Sequence, residues 1–495
     1  MTEPRTRYAI VGTGARADMF IRAIVQDHSD VAELVAFADT NSARMAVHNR
    51  WLQEMGHRPV AAYLVGEFGE LASRTSGSGS TGRGTSRGEF GELASRTSGS
   101  GSTGRGTSRG EFAVMLDKER VDTVVVTSVD ATHDEYIVAA VEAGRAVITE
   151  KPMTVDTARC QRILAATRSS PSPVRVAFNY RYNPVHERVR ELIASGVIGE
   201  VGSVHFEWLL DVRHGADYFR RWHRDRANSG GLLVHKASHH FDLVNWWIAS
   251  VPVRVYAEGR LFFYGSGRRH GYDRGYDRAY GEPAASDDPF ALSIEDDRRL
   301  RELYLEAEHE DGYLRDRNVF GPGVTIEDDM AVLVRYASGA TMSYHLHAYS
   351  PWEGYRVMLN GSAGRLELAV VESDHVSARD ARSVKGGVGS AAQHGADAPV
   401  EHGSTRLTIH PYWRPAEEVV VPGLMREGHG GADSRMAARL FADTGEPDPL
   451  GRGATAVDGA LALLTGLAAN ESMATQRPVD VSTLIDVSLL RLGAS

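Results

Sequence analysis

The sequence predicts an α/β protein of two domains: a doubly wound parallel sheet over residues 1–150, then, over 151–495, an α/β domain with an open, largely antiparallel sheet. Three observations support this. Strand-like apolar runs alternate with helical periodicity up to residue 150, the pattern of parallel strands flanked by helices on both faces. From about residue 250 the texture becomes period-two alternation broken by glycine turns, as in antiparallel strands with one wet face. The 495 residues also exceed what one hydrophobic core usually organises.

In the first half RYAIVGTG, VAELVAFAD, RVDTVVVTSV and GRAVITE read as strands, with ADMFIRAIVQ and EYIVAAVEAG as helices between them. One stretch departs from the pattern: the unit at 66–87 recurs unchanged at 88–109, and a third copy starts at 110. Gly, Ser, Thr and Arg dominate it, so it cannot bury enough surface to offset the ordering of its backbone. Residues 66–109 are therefore expected to form a disordered, tandemly duplicated surface loop, which the domain tolerates because closure costs only about 0.6 kcal/mol per doubling of length. After residue 150 come a helix (VDTARCQRILAATRSS), VRVAFNY, a second helix (NPVHERVRELIASG) and a strand pair around EVGSVHFEW. Strands follow in VRVYAEGRLFFYG, MAVLVRYASGATMSYHLHAYS and YRVMLNGSAGRLELAVV, interrupted by irregular loops near 265–325 and 380–403, and AVDGALALLTGLAANESM closes the chain as a helix. One face of this second sheet needs helices or a partner subunit, so a homo-oligomer through the open sheet is expected.

Composition narrows the function. A net charge of −10 argues against general affinity for nucleic acid, which needs a basic surface. No run of 18 apolar residues suggests a membrane span, and MTEPRTRYAIVGTG lacks the apolar core of a secretory signal. The single cysteine, Cys160, excludes an internal disulfide and fits a reducing compartment, so a cytoplasmic protein acting on a small molecule is expected.

YAIVGTGARADMF places Gly12, Gly14 and Ala17 as G-x-G-x-x-A between a strand and a helix. The glycines allow a tight turn and close approach of a pyrophosphate, which the helix N-terminus attracts. The next strand ends in Asp39, 22 residues beyond Ala17, near the spacing at which an acid meets the adenosine ribose. Asp39 would repel a 2′-phosphate, which favours NAD over NADP, although Arg16 or Arg44 could soften that preference. The first domain is thus of Rossmann type.

Only four lysines stand against 51 arginines, and one of them, Lys151, sits between Glu150 and Pro152 where a strand ends. An ammonium can lose its proton when desolvated, whereas a guanidinium effectively cannot, so Lys151 is a candidate for proton chemistry. In a doubly wound sheet ligands bind beyond the carboxyl ends of the strands, which directs this lysine toward the cleft. GGLLVHKASHHFDLVNWWI at 230–248 is the second constellation: on a helix His235, His239 and Asp242 would share a face. They read as acid/base groups, Asp242 orienting or charging a histidine. A metal site is disfavoured by Lys236, and simple packing is the bland alternative. The stretch HGADYFRRWHRDR at 214–226 suits a polyhydroxylated or acidic ligand, or else is an exposed basic loop.

Together the G-x-G-x-x-A start, Asp39, the TSVDATH stretch with Ser128 and His133, Glu150-Lys151-Pro152, FNYRYNP at 178–184 and the GG…H…H…D helix resemble the Gfo/Idh/MocA oxidoreductase family. The resemblance runs over nearly the whole chain outside the insert and the two loops. It implies NAD(P)-dependent oxidation or reduction of a secondary alcohol on a sugar, cyclitol or related polyol, with Lys151 as the active-site lysine and His239 as the catalytic histidine. It also implies a cofactor site drawn from Gly12, Gly14, Arg16, Ala17, Asp39, Ser128, His133, Glu150, Lys151 and Arg181. The chain departs from the family in carrying His235 where an aspartate usually stands, and TSVDATH lacks a proline often found there. The expected mechanism has His239 as general base, His235 as relay or substrate contact, and Lys151 as oxyanion donor or alternate base. Two rivals are an NAD-recycling glycoside hydrolase working by transient oxidation and elimination, and a non-catalytic nicotinamide-sensing protein.

Overall fold

A computed structural model describes residues 4–66, 108–267, 270–385, 403–421, 431–442 and 447–490. The duplicated loop expected at 66–109 therefore falls almost wholly outside the described residues, as does most of the loop at 380–403.

Six parallel strands form the first sheet: β1 (Thr6–Val11), β2 (Ala32–Asp39), β3 (Ala61–Leu64), β4 (Thr123–Val126), β5 (Ala146–Thr149) and β6 (Val174–Val176), in the order β3-β2-β1-β4-β5-β6. Thr123 and three valines make up β4, and every residue of that strand is buried, as a sheet sandwiched between helices requires. The sheet reaches past residue 150, because β6 pairs with β5 through a crossover over the helix Thr157–Arg168, whose N-terminus Asp156 caps by accepting from the Arg159 N–H.

The second sheet has nine strands among the described residues: β7 (Val201–Asp211), β8 (Pro252–Arg260), β9 (Asp329–Tyr336), β10 (Thr341–Ser350), β11 (Glu353–Gly361), β12 (Gly364–Ser373), β13 (Ser404–Pro411), β14 (Glu417–Glu418) and β15 (Val479–Asp480). All pairings are antiparallel except that of β7 with β10. EVGSVHFEW is not a strand pair but part of the single long strand β7, whose partners arrive more than a hundred residues later. Alternate residues of β10 (Met342, Tyr344, Leu346, Ala348) are buried on the face that meets the helices Val212–Arg220 and Ser238–Ile248, while His345, His347 and Tyr349 on the other face stay partly exposed. No helix among the described residues is long and apolar enough to cross a membrane.

The stretch near 265–325, expected as an irregular loop, belongs in its described residues to an organised excursion between β8 and β9. Short helical turns give it small apolar clusters of its own, such as Leu292, Ile294 and Leu300. Part of it leaves the second sheet and packs on the first domain: Leu303 is fully buried against Val47 and Trp51 of the helix Ser42–Glu54. Glu302 accepts from the Trp51 indole at 2.7 Å and from Arg50 at 2.8 Å, and Arg298 bridges Glu54. The dinucleotide-type domain thus borrows a wall from the second half of the chain.

Candidate active site

The phosphate loop follows β1. Gly12 has φ +84°, and a Cβ placed there would lie 2.5 Å from the backbone N and Cα of Ser128, so only glycine lets β1 turn beneath the end of β4. The Asp39 carboxylate closes the loop from β2, accepting from the Thr13 hydroxyl at 2.7 Å, the Thr13 N–H, and the Asn41 N–H at 2.9 Å. The helix Ala17–Arg22 starts immediately after. A glycine cradle, a helix N-terminus and an acid at the end of the second strand fit a dinucleotide. The Tyr304 hydroxyl, from the excursion, accepts from the Ala15 N–H at 2.9 Å.

Of the two arginines able to draw a 2′-phosphate, Arg16 turns the other way, to Glu150 and to Asp433 at 3.2 Å. Arg44 donates to the Leu303 carbonyl at 3.1 Å, pairs with Asp311 at 2.8 Å, and lies over the rings of Tyr304 and Tyr313.

Beyond the carboxyl ends of β4 and β5 the structure gathers the reactive groups. The Lys151 ammonium donates to the His235 carbonyl at 3.0 Å, and its backbone N–H donates to the Glu150 carboxylate at 3.1 Å. The bond to Pro152 is cis. Burial holds the Lys151 pKa below its ordinary value, against the pull of Asp130 and Glu150. His235 Nδ1 lies 2.5 Å from Asp130 Oδ2, both side chains buried. Burial raises Asp130 and depresses His235, and the positive Lys151 and Arg221 push the imidazole further toward neutral. The ring of His223 stands 4.1 Å from that of His235, stacked on Trp222 and touched by Arg221 at 3.3 Å. The stretch at 214–226 is thus partly a site wall rather than an exposed loop: Tyr218, His223 and Arg224 are buried, and the Tyr218 ring is 5.5 Å from that of His235.

His235 and His239 do not share one continuous helix. The helix Leu232–His235 ends, Lys236 and Ala237 turn, and a new helix runs Ser238–Ile248. The His235 carbonyl accepts from the side chains of Lys151 and Ser238 at this break. His239 stacks on Tyr180, with centroids 4.2 Å apart, and Tyr180 receives a hydrogen bond from the Lys236 ammonium at 3.0 Å. Burial brings Lys236 down to about 8.

Three expected site residues are occupied elsewhere. Asp242 accepts both ends of the Arg181 guanidinium, at 2.8 and 2.6 Å, rather than orienting a histidine. Arg181 is further held by Asp458 and the Gly451 carbonyl, so its fork ties helices together. His133 is fully buried, its two ring nitrogens 2.9 and 3.0 Å from the carbonyls of Pro152 and Ser128; it staples the ends of β4 and β5 rather than presenting a free nitrogen. Ser128, by contrast, lies with its backbone against Gly12 at the loop. Asp130 was missed although it lies within TSVDATH, and His223 although it lies within the 214–226 stretch. Among the described residues no group of three or more His, Cys, Asp or Glu could hold a metal ion.

Comparison with known proteins bears on the fold and the family. Residues 97–178 match the model of an oxidoreductase family's NAD-binding Rossmann fold, and residues 190–481 match the same family's C-terminal alpha/beta domain. The chain is 31% identical to an oxidoreductase of Bacillus subtilis, YteT, over 96% of this chain and 98% of that one. It is 31% identical to the inositol 2-dehydrogenase of Rhizobium meliloti over 28% of this chain and 39% of the relative. Among solved structures, the WlbA dehydrogenase of Bordetella pertussis, in complex with NADH and UDP-GlcNAcA, superimposes with a TM-score of 0.56 at 16% identity, covering 96% of this chain and 99% of that one.

Proposed function

The chain belongs to the Gfo/Idh/MocA family of oxidoreductases, and we propose that it transfers a hydride between NAD and a carbon bearing a secondary alcohol on a sugar, cyclitol or related polyol. The observation that carries this is the meeting of Lys151, Asp130 and His235 beyond the strand ends of the first sheet, where such sheets bind ligands. Gly12, Gly14 and Ala17 would hold the pyrophosphate, and Asp39 the adenosine ribose. When bound, the nicotinamide takes up or returns the hydride. NAD rather than NADP is supported by Asp39 and by the commitment of Arg16 and Arg44 to carboxylates of the chain itself.

The hydroxyl proton is left to the protein. His235 Nδ1 is engaged by Asp130, so Nε2 is the atom that takes the proton, and the Asp130 carboxylate stabilises the imidazolium that forms. Lys151 has three ammonium donors, one of which is used on the His235 carbonyl. Another, directed to the substrate oxygen, stabilises the developing alkoxide, a contribution of about 3–4 kcal/mol for a preorganised donor. The roles expected of the two histidines are thereby exchanged: His235 has the carboxylate partner of a base, and His239, flat against Tyr180, serves as a substrate contact.

One observation favours a second reading, redox-assisted cleavage of a glycoside. The buried Lys236, brought to about 8 and bonded to Tyr180, adds a proton donor that simple hydride transfer does not need. A panel of sugars, cyclitols and glycosides incubated with NAD separates the two. Substrate-dependent absorbance at 340 nm supports the dehydrogenase; scission without net NADH supports the hydrolase. Tight NAD binding with neither outcome would leave a non-catalytic sensor. We further propose that copies associate through the half-exposed face bearing His345, His347 and Tyr349 in a cytoplasmic homo-oligomer.

A further inference from the structure

The excursion between β8 and β9 does more than pack on the first domain: it places two carboxylates against the end of β2. Glu310 accepts the backbone N–H of Ser42 at 2.6 Å and its hydroxyl at 2.7 Å. These two groups open the helix Ser42–Glu54, and a helix N-terminus with a hydroxyl beside it is a natural receptor for phosphate. The next residue, Asp311, pairs with Arg44 at 2.8 Å, and Arg44 is the guanidinium placed to answer a phosphate on that side. Asn41 completes the seam by donating to the Ala307 carbonyl at 2.9 Å.

Ser42 and Arg44, two groups near Asp39 able to recognise a 2′-phosphate, are therefore each already matched by an acid from the second half of the chain. We propose that Glu310 and Asp311 are specificity-determining residues of the cofactor site, excluding a dinucleotide with a 2′-phosphate by occupying Ser42 and neutralising Arg44. The inference rests on the first domain being a dinucleotide site, and it extends the discrimination beyond the single acid Asp39 to a segment nearly three hundred residues away. The segment is held in place independently of these two residues by Leu303, by Glu302 on Trp51 and Arg50, and by Tyr304 on Ala15. Altering the two acids therefore changes charge without releasing the wall.

The test titrates NADH and NADPH into the full-length protein, read by fluorescence of the bound nicotinamide and needing no turnover. The proteins compared are wild type, E310Q/D311N, which keeps shape and hydrogen-bonding capacity, and E310A/D311A, which frees Ser42 and Arg44. Wild type should prefer NADH. Both variants should narrow that preference by about tenfold or more, chiefly through tighter NADPH, because a repulsive pairing has been removed. A ratio unchanged within about twofold in the folded E310Q/D311N protein overturns the inference while leaving the cofactor site intact. Failure of wild type to bind either dinucleotide overturns the dinucleotide reading itself, and this inference with it.

Discussion

Nδ1 of His235 lies 2.5 Å from Oδ2 of Asp130, across 105 residues of sequence and across the boundary between the two sheets. The acid comes from the turn after β4, and the imidazole from the short helix that precedes the break at Lys236. Their meeting brings one titratable group from each region into direct contact.

That pairing predicts the behaviour of Asp130→Asn. Volume is kept and charge is lost, so turnover should fall about 10²-fold or more, the usual scale for a positioned acid or base. The double variant D130N/H235N should be little worse than either single one, because residues that act as a unit are not additive. Steady-state kinetics on the identified substrate would check both; additive losses would separate the two residues.

Lys151→Ala tests the oxyanion donor. Turnover should drop about 10²-fold or more. NADH affinity, measured by fluorescence titration, should stay within a few-fold. Full activity in this variant would remove the lysine from the mechanism.

Gly12→Ala addresses the phosphate loop. The added methyl meets the Ser128 backbone at 2.5 Å from a residue at φ +84°, so the turn must shift. NADH binding should weaken while the far-UV spectrum is retained, and unaltered binding would place the dinucleotide elsewhere.

Asp242→Ala should unfold the protein more readily without touching the chemistry. Arg181 would lose its bidentate partner and keep only Asp458 and the Gly451 carbonyl, a loss of up to about 3–5 kcal/mol. Denaturant midpoint and turnover in the same preparation distinguish this from a catalytic role, in which activity would collapse with the midpoint unchanged.

Acid should loosen the borrowed wall. Burial opposes charge on Glu302, but hydrogen bonds from Arg298, Arg50 and Trp51 outweigh it and bring its pKa down from 4.5 to about 2. A depressed carboxylate stabilises the fold above its unfolded pKa, and that stability disappears as pH falls through the folded value. The difference in melting temperature between wild type and Glu302→Gln should therefore be constant at neutral pH and shrink between about pH 4.5 and pH 2. A difference that persists undiminished at the acid end would show that charge on Glu302 is not what anchors the segment.

The sequence was most legible where the chemistry is local. The glycines at 12 and 14, Asp39 and Lys151 are identified by their place relative to a strand end, and parallel-sheet geometry does the rest. Asp242 misled because a three-residue offset on a helix gives a shared face but says nothing of Arg181, 61 residues earlier, whose fork outcompetes a histidine for the carboxylate. His235 and His239 looked like one turn of helix because nothing in HKASHH marks the break, where the His235 carbonyl instead accepts from a lysine of the other domain. Asp130 was in plain view within TSVDATH, yet its role depends on which side chain the second domain lowers onto it. The excursion between β8 and β9 was illegible for the same reason: rich in Arg, Asp, Gly and Tyr, it has no periodicity of its own, and its small apolar clusters and ion pairs form with residues far along the chain or across the excursion itself.

Asn41 and the Ala307 carbonyl that receives its amide are separated by 266 residues. During synthesis the N-terminal strands leave the ribosome long before this outer lining does, and domains ordinarily fold in the order they emerge. The nascent first half therefore lacks these partners of Ser42, Arg44 and Trp51 until residues 302–311 have been made. A fragment cut after β6 would have the strands to make its sheet but only part of the vessel they were meant to close.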